Sequence, residues 1–218
     1  MKNILIYGDS NTWGYDMSRY IPELETAQRM TADERWSGRV QMLLGDEYRV
    51  YEDALNARTL MWEDPYFDYR HGLKGLKIAL DKHAPLDLVV FQLGCNELKH
   101  MFNLTSGMIA QGMEKLVDAC NVSLYGYPAP KVLLIAPHPT RPDIGELLYG
   151  ENFGPDAYRK SCELGEKYRA IAEKKGCGFI DCAELHFELN AMDGLHYSRA
   201  DHARLADAAA AKIREMLG

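Results

Sequence analysis

Five short apolar runs, set between stretches of helical spacing, constrain this chain more than any other feature. Residues 4–7 (ILIY), 48–51 (YRVY), 86–93 (LDLVVFQL), 131–136 (KVLLIA) and 178–181 (GFID) each read as a short buried strand. Between them lie helical patterns. Trp36, Val40, Leu43 and Leu44 follow a capping-box sequence at Thr31 and Glu34, with Gly45 as the stop. Leu73, Leu76, Ile78 and Leu80 mark a helix over 69–83, and a further helix spans 105–121. Asp156 caps another reaching about residue 175, and Ser198 caps a final alanine-rich one. Residues 17–30 read as polar and irregular. Strands alternating with helices predict a parallel sheet covered on both faces by right-handed crossovers. The expected architecture is therefore α/β: a three-layer α/β/α sandwich with a five-stranded parallel sheet, as one domain over 1–218.

Charge and cysteine usage exclude several functions. The net charge of −7 gives no support to nucleic-acid binding or to a polybasic membrane contact. No window approaches the ~20 apolar residues of a membrane span. The opening run ILIY meets Asp9 at once and is too short for a secretory signal, so the expected compartment is the cytoplasm. Cys95, Cys120, Cys162, Cys177 and Cys182 are odd in number and scattered, which suits free thiols better than disulfides or a zinc site. No H-E-x-x-H or clustered His/Cys spacing suggests a metal, and no cofactor is expected.

The chemistry sits just past the strand ends. In an open parallel sheet, ligands bind outside the carboxyl edge. There the chain places Gly8-Asp9-Ser10 after the first run, Asn56-Ala57-Arg58 after the second and Gly94-Cys95-Asn96-Glu97 after the third. A later loop carries Asp193-Gly-Leu-His196. A serine hydroxyl attacks poorly unless a base takes its proton, and an Asp-x-x-His loop can supply a base with its own orienting carboxylate. Each short motif, taken alone, is as readily a turn or a helix cap.

Together the motifs resemble the GDSL, or SGNH, hydrolases. GDSNTWG, EDALNART, PLDLVVFQLGCNELK and YPAPKVLLIAP are similar to the arylesterase/acyltransferase branch of that family, with the likeness weakest over 138–156. The resemblance implies a flavodoxin-like fold and a serine esterase of short-chain or aryl carboxylic esters, with acyl transfer to alcohols as a second outcome. It assigns Ser10 as nucleophile, His196 as base and Asp193 as its orienter. The implied oxyanion donors are the Ser10 and Ala57 amides and the Asn96 side chain. Asp9, Trp13, Tyr15 and Cys95 are the candidates for the substrate pocket, with ordinary packing as the competing role for the aromatics and for Cys95. Asp9 is expected to fix the turn. The family commonly has G-T-N-D where this chain has Gly94-Cys95-Asn96-Glu97, and Ala54 replaces a frequent Gly at a position that can require positive φ. The resemblance also implies a small-molecule ester as partner and self-association into a homo-oligomer. Carbohydrate O-acetyl ester hydrolysis uses the same residues. A non-catalytic, hydrolase-like binding module is the competing class. Nucleotide-binding signatures and the G-x-S-x-G nucleophile elbow are absent.

Overall fold

The computed structural model describes residues Met1–Gly218. In chain order the elements are β1 (Lys2–Gly8), α1 (Ser10–Trp13), β2 (Tyr15–Ile21), β3 (Thr26–Arg29), α2 (Trp36–Leu44), β4 (Tyr48–Ala54), α3 (Gly72–His83) and β5 (Leu88–Gln92). They continue with α4 (Ser106–Cys120), β6 (Lys131–Ala136), α5 (Gly150–Phe153), α6 (Ala157–Cys162), α7 (Leu164–Lys175), β7 (Gly178–Asp181) and α8 (Arg199–Leu217).

The five apolar runs form one sheet in the order β4-β1-β5-β6-β7, every pair parallel. Side chains alternate between its faces, as the period of a strand requires. Leu5, Tyr7, Val89, Phe91 and Leu134 join α3, α4 and α7 on one side. Ile4, Ile6, Leu88, Val90, Leu133 and Ile135 join α2 and α8 on the other. Both faces are apolar because both are covered, which gives the three layers. The strand order reverses direction beside β1, so the crevice between the carboxyl ends of β1 and β5 is the switch point where such sheets bind ligands.

Several elements depart from the sequence reading. Residues 17–30 contain an antiparallel hairpin, β2–β3, with a register shift between Asp16 and Tyr20. Its bulge hides the alternation that would have marked strands, and its buried face is only Tyr15, Met17 and Ala27. The Thr31–Glu34 segment forms a turn ahead of α2 rather than its cap. Glu34 still accepts the Thr31 N–H at 2.9 Å but is drawn to Arg19, at 2.8 Å. The first free amide of α2, that of Trp36, is instead taken at 3.1 Å by Nδ1 of His202, reaching across from α8. Burial pushes His202 down to about 3, so its ring stays neutral and can accept. On α3 Leu76, Ala79 and Leu80 are buried, while Ile78 faces solvent, two residues out of phase with both leucines. Asp156 makes no side-chain cap, and the helical stretch it precedes breaks at Glu163 into α6 and α7. No helix is long and apolar enough to cross a membrane.

Candidate active site

The turn after β1 is built for close approach. A Cβ on Gly8 would fall 2.0 Å from Thr12 Oγ1, so only glycine lets the chain turn directly into α1. The carboxylate of Asp9 caps that turn by accepting the Asn11 N–H at 3.0 Å. Ser10 is therefore the first residue after the cap, with its amide left unpaired by the helix geometry. Thr12 and Tyr197 are joined through Gln92 at 2.8 and 3.1 Å, which ties the turn to β5 and to the last loop.

The loop before α8 carries the second half. Asp193 is fully buried and accepts the N–H groups of Leu195 at 3.0 Å and His196 at 3.1 Å on Oδ1. Its Oδ2 lies 2.5 Å from His196 Nδ1. Gly194, at φ 64°, makes this tight loop possible, since a side chain there would meet Leu147 and Arg141. A carboxylate can only accept, so Nδ1 carries the proton and Nε2 presents its lone pair to Ser10 Oγ, 2.8 Å away. Burial alone would raise the Asp193 carboxyl. The His196 ring and the loop amides outweigh it and hold the group below the usual carboxylate range. Ser10, His196 and Asp193 thus form one hydrogen-bonded line across 186 residues of sequence.

The expected oxyanion donors lie on loops fastened to the same strand end. Leu55 N–H and the Arg58 guanidinium both donate to the Gly8 carbonyl at 3.2 Å. Arg58 also bonds the Asp53 carbonyl and carboxylate at 2.5 and 2.6 Å and covers the Tyr7 ring at 3.9 Å. Asn96 Nδ2 donates to the Arg58 carbonyl at 3.0 Å, which fixes its amide and leaves its second N–H for another acceptor. The Ala57 N–H makes no hydrogen bond within the chain. The positive-φ residue of this loop is Ala57 itself, at 63°, and not Ala54, which ends β4 in extended backbone paired with Gly8.

Of the four pocket candidates, two lie beneath the site. Asp9 is wholly buried, with Oδ2 unpartnered, and burial pushes its carboxyl up to about 7. Cys95 is 3% exposed, and burial pushes its thiol well up, so it packs as a small apolar residue and is not a reactive group. Glu97 shares this layer. It accepts the Leu60 N–H on Oε1, leaves Oε2 unpartnered, and is pushed up to about 8 by burial and by Asp9. Trp13 is half-buried, its ring 6.4 Å from that of Tyr15. Tyr15 lies against the His196 imidazole, ring centroids 4.6 Å apart. A residue that sequence did not single out, Tyr149 of the divergent segment, meets the same imidazole edge-on at 6.3 Å. The length of that segment was its only signal. No group of three His, Cys, Asp or Glu side chains is arranged to hold a metal ion.

The model of the GDSL-like lipase/acylhydrolase family matches residues 6–204. The chain belongs to that family. Among solved structures, this hydrolase is similar to Est24, a carbohydrate acetylesterase from Sinorhizobium meliloti, at 34% identity over 100% of both chains with a TM-score of 0.90. It is equally similar in shape to the aryl esterase of M. smegmatis, at 32% identity over 100% of both chains and a TM-score of 0.90. A search of the curated proteins found no match. Family and neighbours together make it a carboxylic ester hydrolase of the SGNH type.

Proposed function

We propose that the chain hydrolyses short-chain or aryl carboxylic esters through an acyl-enzyme on Ser10. The unbroken line from Asp193 through His196 to Ser10 carries this reading. His196 Nε2 takes the hydroxyl proton as Oγ bonds to the ester carbonyl carbon, and the carbonyl electrons move onto oxygen. The Ser10 and Ala57 amides and the Asn96 side chain receive that oxyanion. When the intermediate collapses, the bond from carbon to the alcohol oxygen breaks and Nε2 returns the proton to the departing alcohol. Water then attacks the acyl-enzyme by the same route and releases the acid, and an alcohol in its place gives a new ester. Asp193 keeps the imidazole in the required tautomer and faces the charge that develops on it.

The names of the two similar esterases support both aryl esters and carbohydrate acetates as substrates. Five free cysteines, three of them buried, fit a reducing compartment such as the cytoplasm. The exposed Tyr66 and Phe67 beside the Ala57 loop suit a homo-oligomer contact, which sedimentation velocity would detect.

A fluorophosphonate should label the wild-type protein at Ser10 and leave Ser10→Ala unlabelled. The same substitution should cut p-nitrophenyl acetate turnover by at least about 10⁴-fold. Unchanged turnover in Ser10→Ala, or an unlabelled wild type, would defeat the assignment.

A further inference from the structure

The alcohol half of an ester must bring its oxygen to His196 Nε2, because that nitrogen protonates it as it leaves. Groups packed around the imidazole therefore flank the leaving group, while the oxyanion donors fix the carbonyl. That placement of the leaving group rests on the acyl-enzyme mechanism proposed above.

Two tyrosines occupy that surround, from opposite parts of the chain. The Tyr15 ring lies 4.6 Å from the imidazole at an interplanar angle of 34°, and Tyr149 presents to it at 6.3 Å and 78°. Their hydroxyl oxygens are 3.1 Å apart. The Tyr15 hydroxyl also accepts the Ala27 N–H at 3.0 Å, so the β2–β3 hairpin holds its ring from behind. Tyr149 is held from the other side. Leu148 N–H donates to the Met192 carbonyl at 3.0 Å and Arg141 N–H to the Gly194 carbonyl at 2.8 Å. These bonds fasten the divergent segment to the Asp193–His196 loop. Tyr15 is nearly buried, whereas Tyr149 keeps part of its surface exposed. Burial and the partner hydroxyl push the Tyr149 phenol up, so it stays neutral and able to donate. A half-buried Trp13 extends the aromatic surface beyond Tyr15.

We propose that Tyr149, with Tyr15, walls the leaving-group subsite and selects esters whose alcohol is a ring with an apolar face, a phenol or a pyranose. Flat aromatic walls favour ring-shaped partners through apolar contact, and short chain alcohols cover little of them. The Tyr149 hydroxyl gives a sugar's neighbouring hydroxyls a partner at the rim of the same wall, while the Tyr15 hydroxyl behind it is engaged by Tyr149 and Ala27.

All acetate esters pass through one acetyl-enzyme, so an alcohol-side wall affects acylation and leaves deacylation alone. The test compares kcat/KM of wild type, Tyr149→Ala and Tyr149→Phe on phenyl acetate, an O-acetylated methyl pyranoside, ethyl acetate and phenyl butyrate. Each value is expressed relative to wild type, which removes differences in intrinsic ester reactivity. Tyr149→Ala should lower the ratio of kcat/KM on the preferred ring acetate to that on ethyl acetate by about tenfold or more. The ratio of phenyl butyrate to phenyl acetate should not change. Tyr149→Phe separates the two alcohols: phenol esters should keep their rate, and pyranoside acetates should lose theirs.

Equal losses on ring and chain acetates would overturn the proposal, as would a change that follows the acyl chain. Tyr149→Leu replaces Tyr149→Ala if the latter melts below the assay temperature. Fluorophosphonate labelling of each variant keeps the two readings separate. An unlabelled wild type sinks the esterase reading, whereas labelled variants with unchanged selectivity sink only the subsite.

Discussion

The side-chain carbonyl of Asn11 accepts the Tyr197 N–H at 3.0 Å, and its amide reaches the Leu195 carbonyl at 3.4 Å. Asn11 follows the proposed nucleophile and Tyr197 the proposed base, so this side chain, alongside the Gln92 bridge, holds the spacing between Ser10 and His196. The pair is buried, and removing Asn11 strands a backbone N–H away from water.

Asn11→Ala should therefore cost about 1–3 kcal/mol of stability, and a shift of the order of 1 Å at the base should lower kcat about 100-fold. KM should stay close to the wild-type value, because no substrate contact is lost. Denaturant melts with steady-state kinetics measure both. A variant that melts early yet keeps its kcat would show that the spacing is held elsewhere.

Ala57 stands in left-handed backbone at φ 63°, and in the proposed mechanism its N–H serves the oxyanion. An L side chain there carries a Cβ clash of roughly 1–2 kcal/mol, partly offset by the restriction that alanine places on the unfolded chain. Ala57→Gly should raise stability by up to about 1 kcal/mol and leave kcat within about threefold. Ala57→Val should do the reverse, because a β-branched residue is least tolerant of positive φ. Thermal melts of the two variants give opposite signs if the strain sits at this residue.

How much of this was legible follows from where each element takes its stability. The central strands β1, β5 and β6 hold continuous apolar runs because both faces of the sheet are covered there, and such runs survive in sequence almost intact; Lys131–Ala136 and the shorter edge strand Gly178–Asp181 have the expected ends. The hairpin β2–β3 was not legible, since it buries three side chains and its bulge breaks the period. The start of α2 was misplaced because its first amide is satisfied by His202, 166 residues away. In the site, Ser10, Asp193 and His196, which the structure brings into one hydrogen-bonded line, and Asn96 stand in short sequence motifs just past strand ends or ahead of α8. Tyr149 was not legible, because an aromatic in a divergent segment has no local signature, and its place against His196 is set by backbone bonds to Met192 and Gly194.

Below the nucleophile turn, Asp9 and Glu97 give stability a distinctive dependence on pH. Burial pushes Asp9 from 3.8 up to about 7 and Glu97 from 4.5 up to about 8. Between the unfolded and folded values the native state holds protons that the unfolded chain has released, so stability falls as pH rises through that window. Several groups act the other way at lower pH, Asp193 and His202 among the buried ones. Asp193, held below its ordinary value, contributes stability that is lost on acidification through about pH 4. Burial lowers His202 to about 3, so stability rises with pH until the unfolded histidine has lost its proton, about a unit above its ordinary 6.5. Above about pH 6.5 the contributions of the lowered carboxylates are complete and those of the histidines more than half spent, so the two raised carboxyls dominate. Stability should fall from pH 6.5 to 8, with each carboxyl contributing at most about 1.4 kcal/mol per pH unit. Glu97→Gln keeps an oxygen for the Leu60 N–H but cannot ionise, so its curve over that range should be flatter than wild type by the Glu97 share. Urea midpoints at half-unit steps across pH 6–8.5 test this, and parallel curves for the two proteins would show that Glu97 does not titrate in that window.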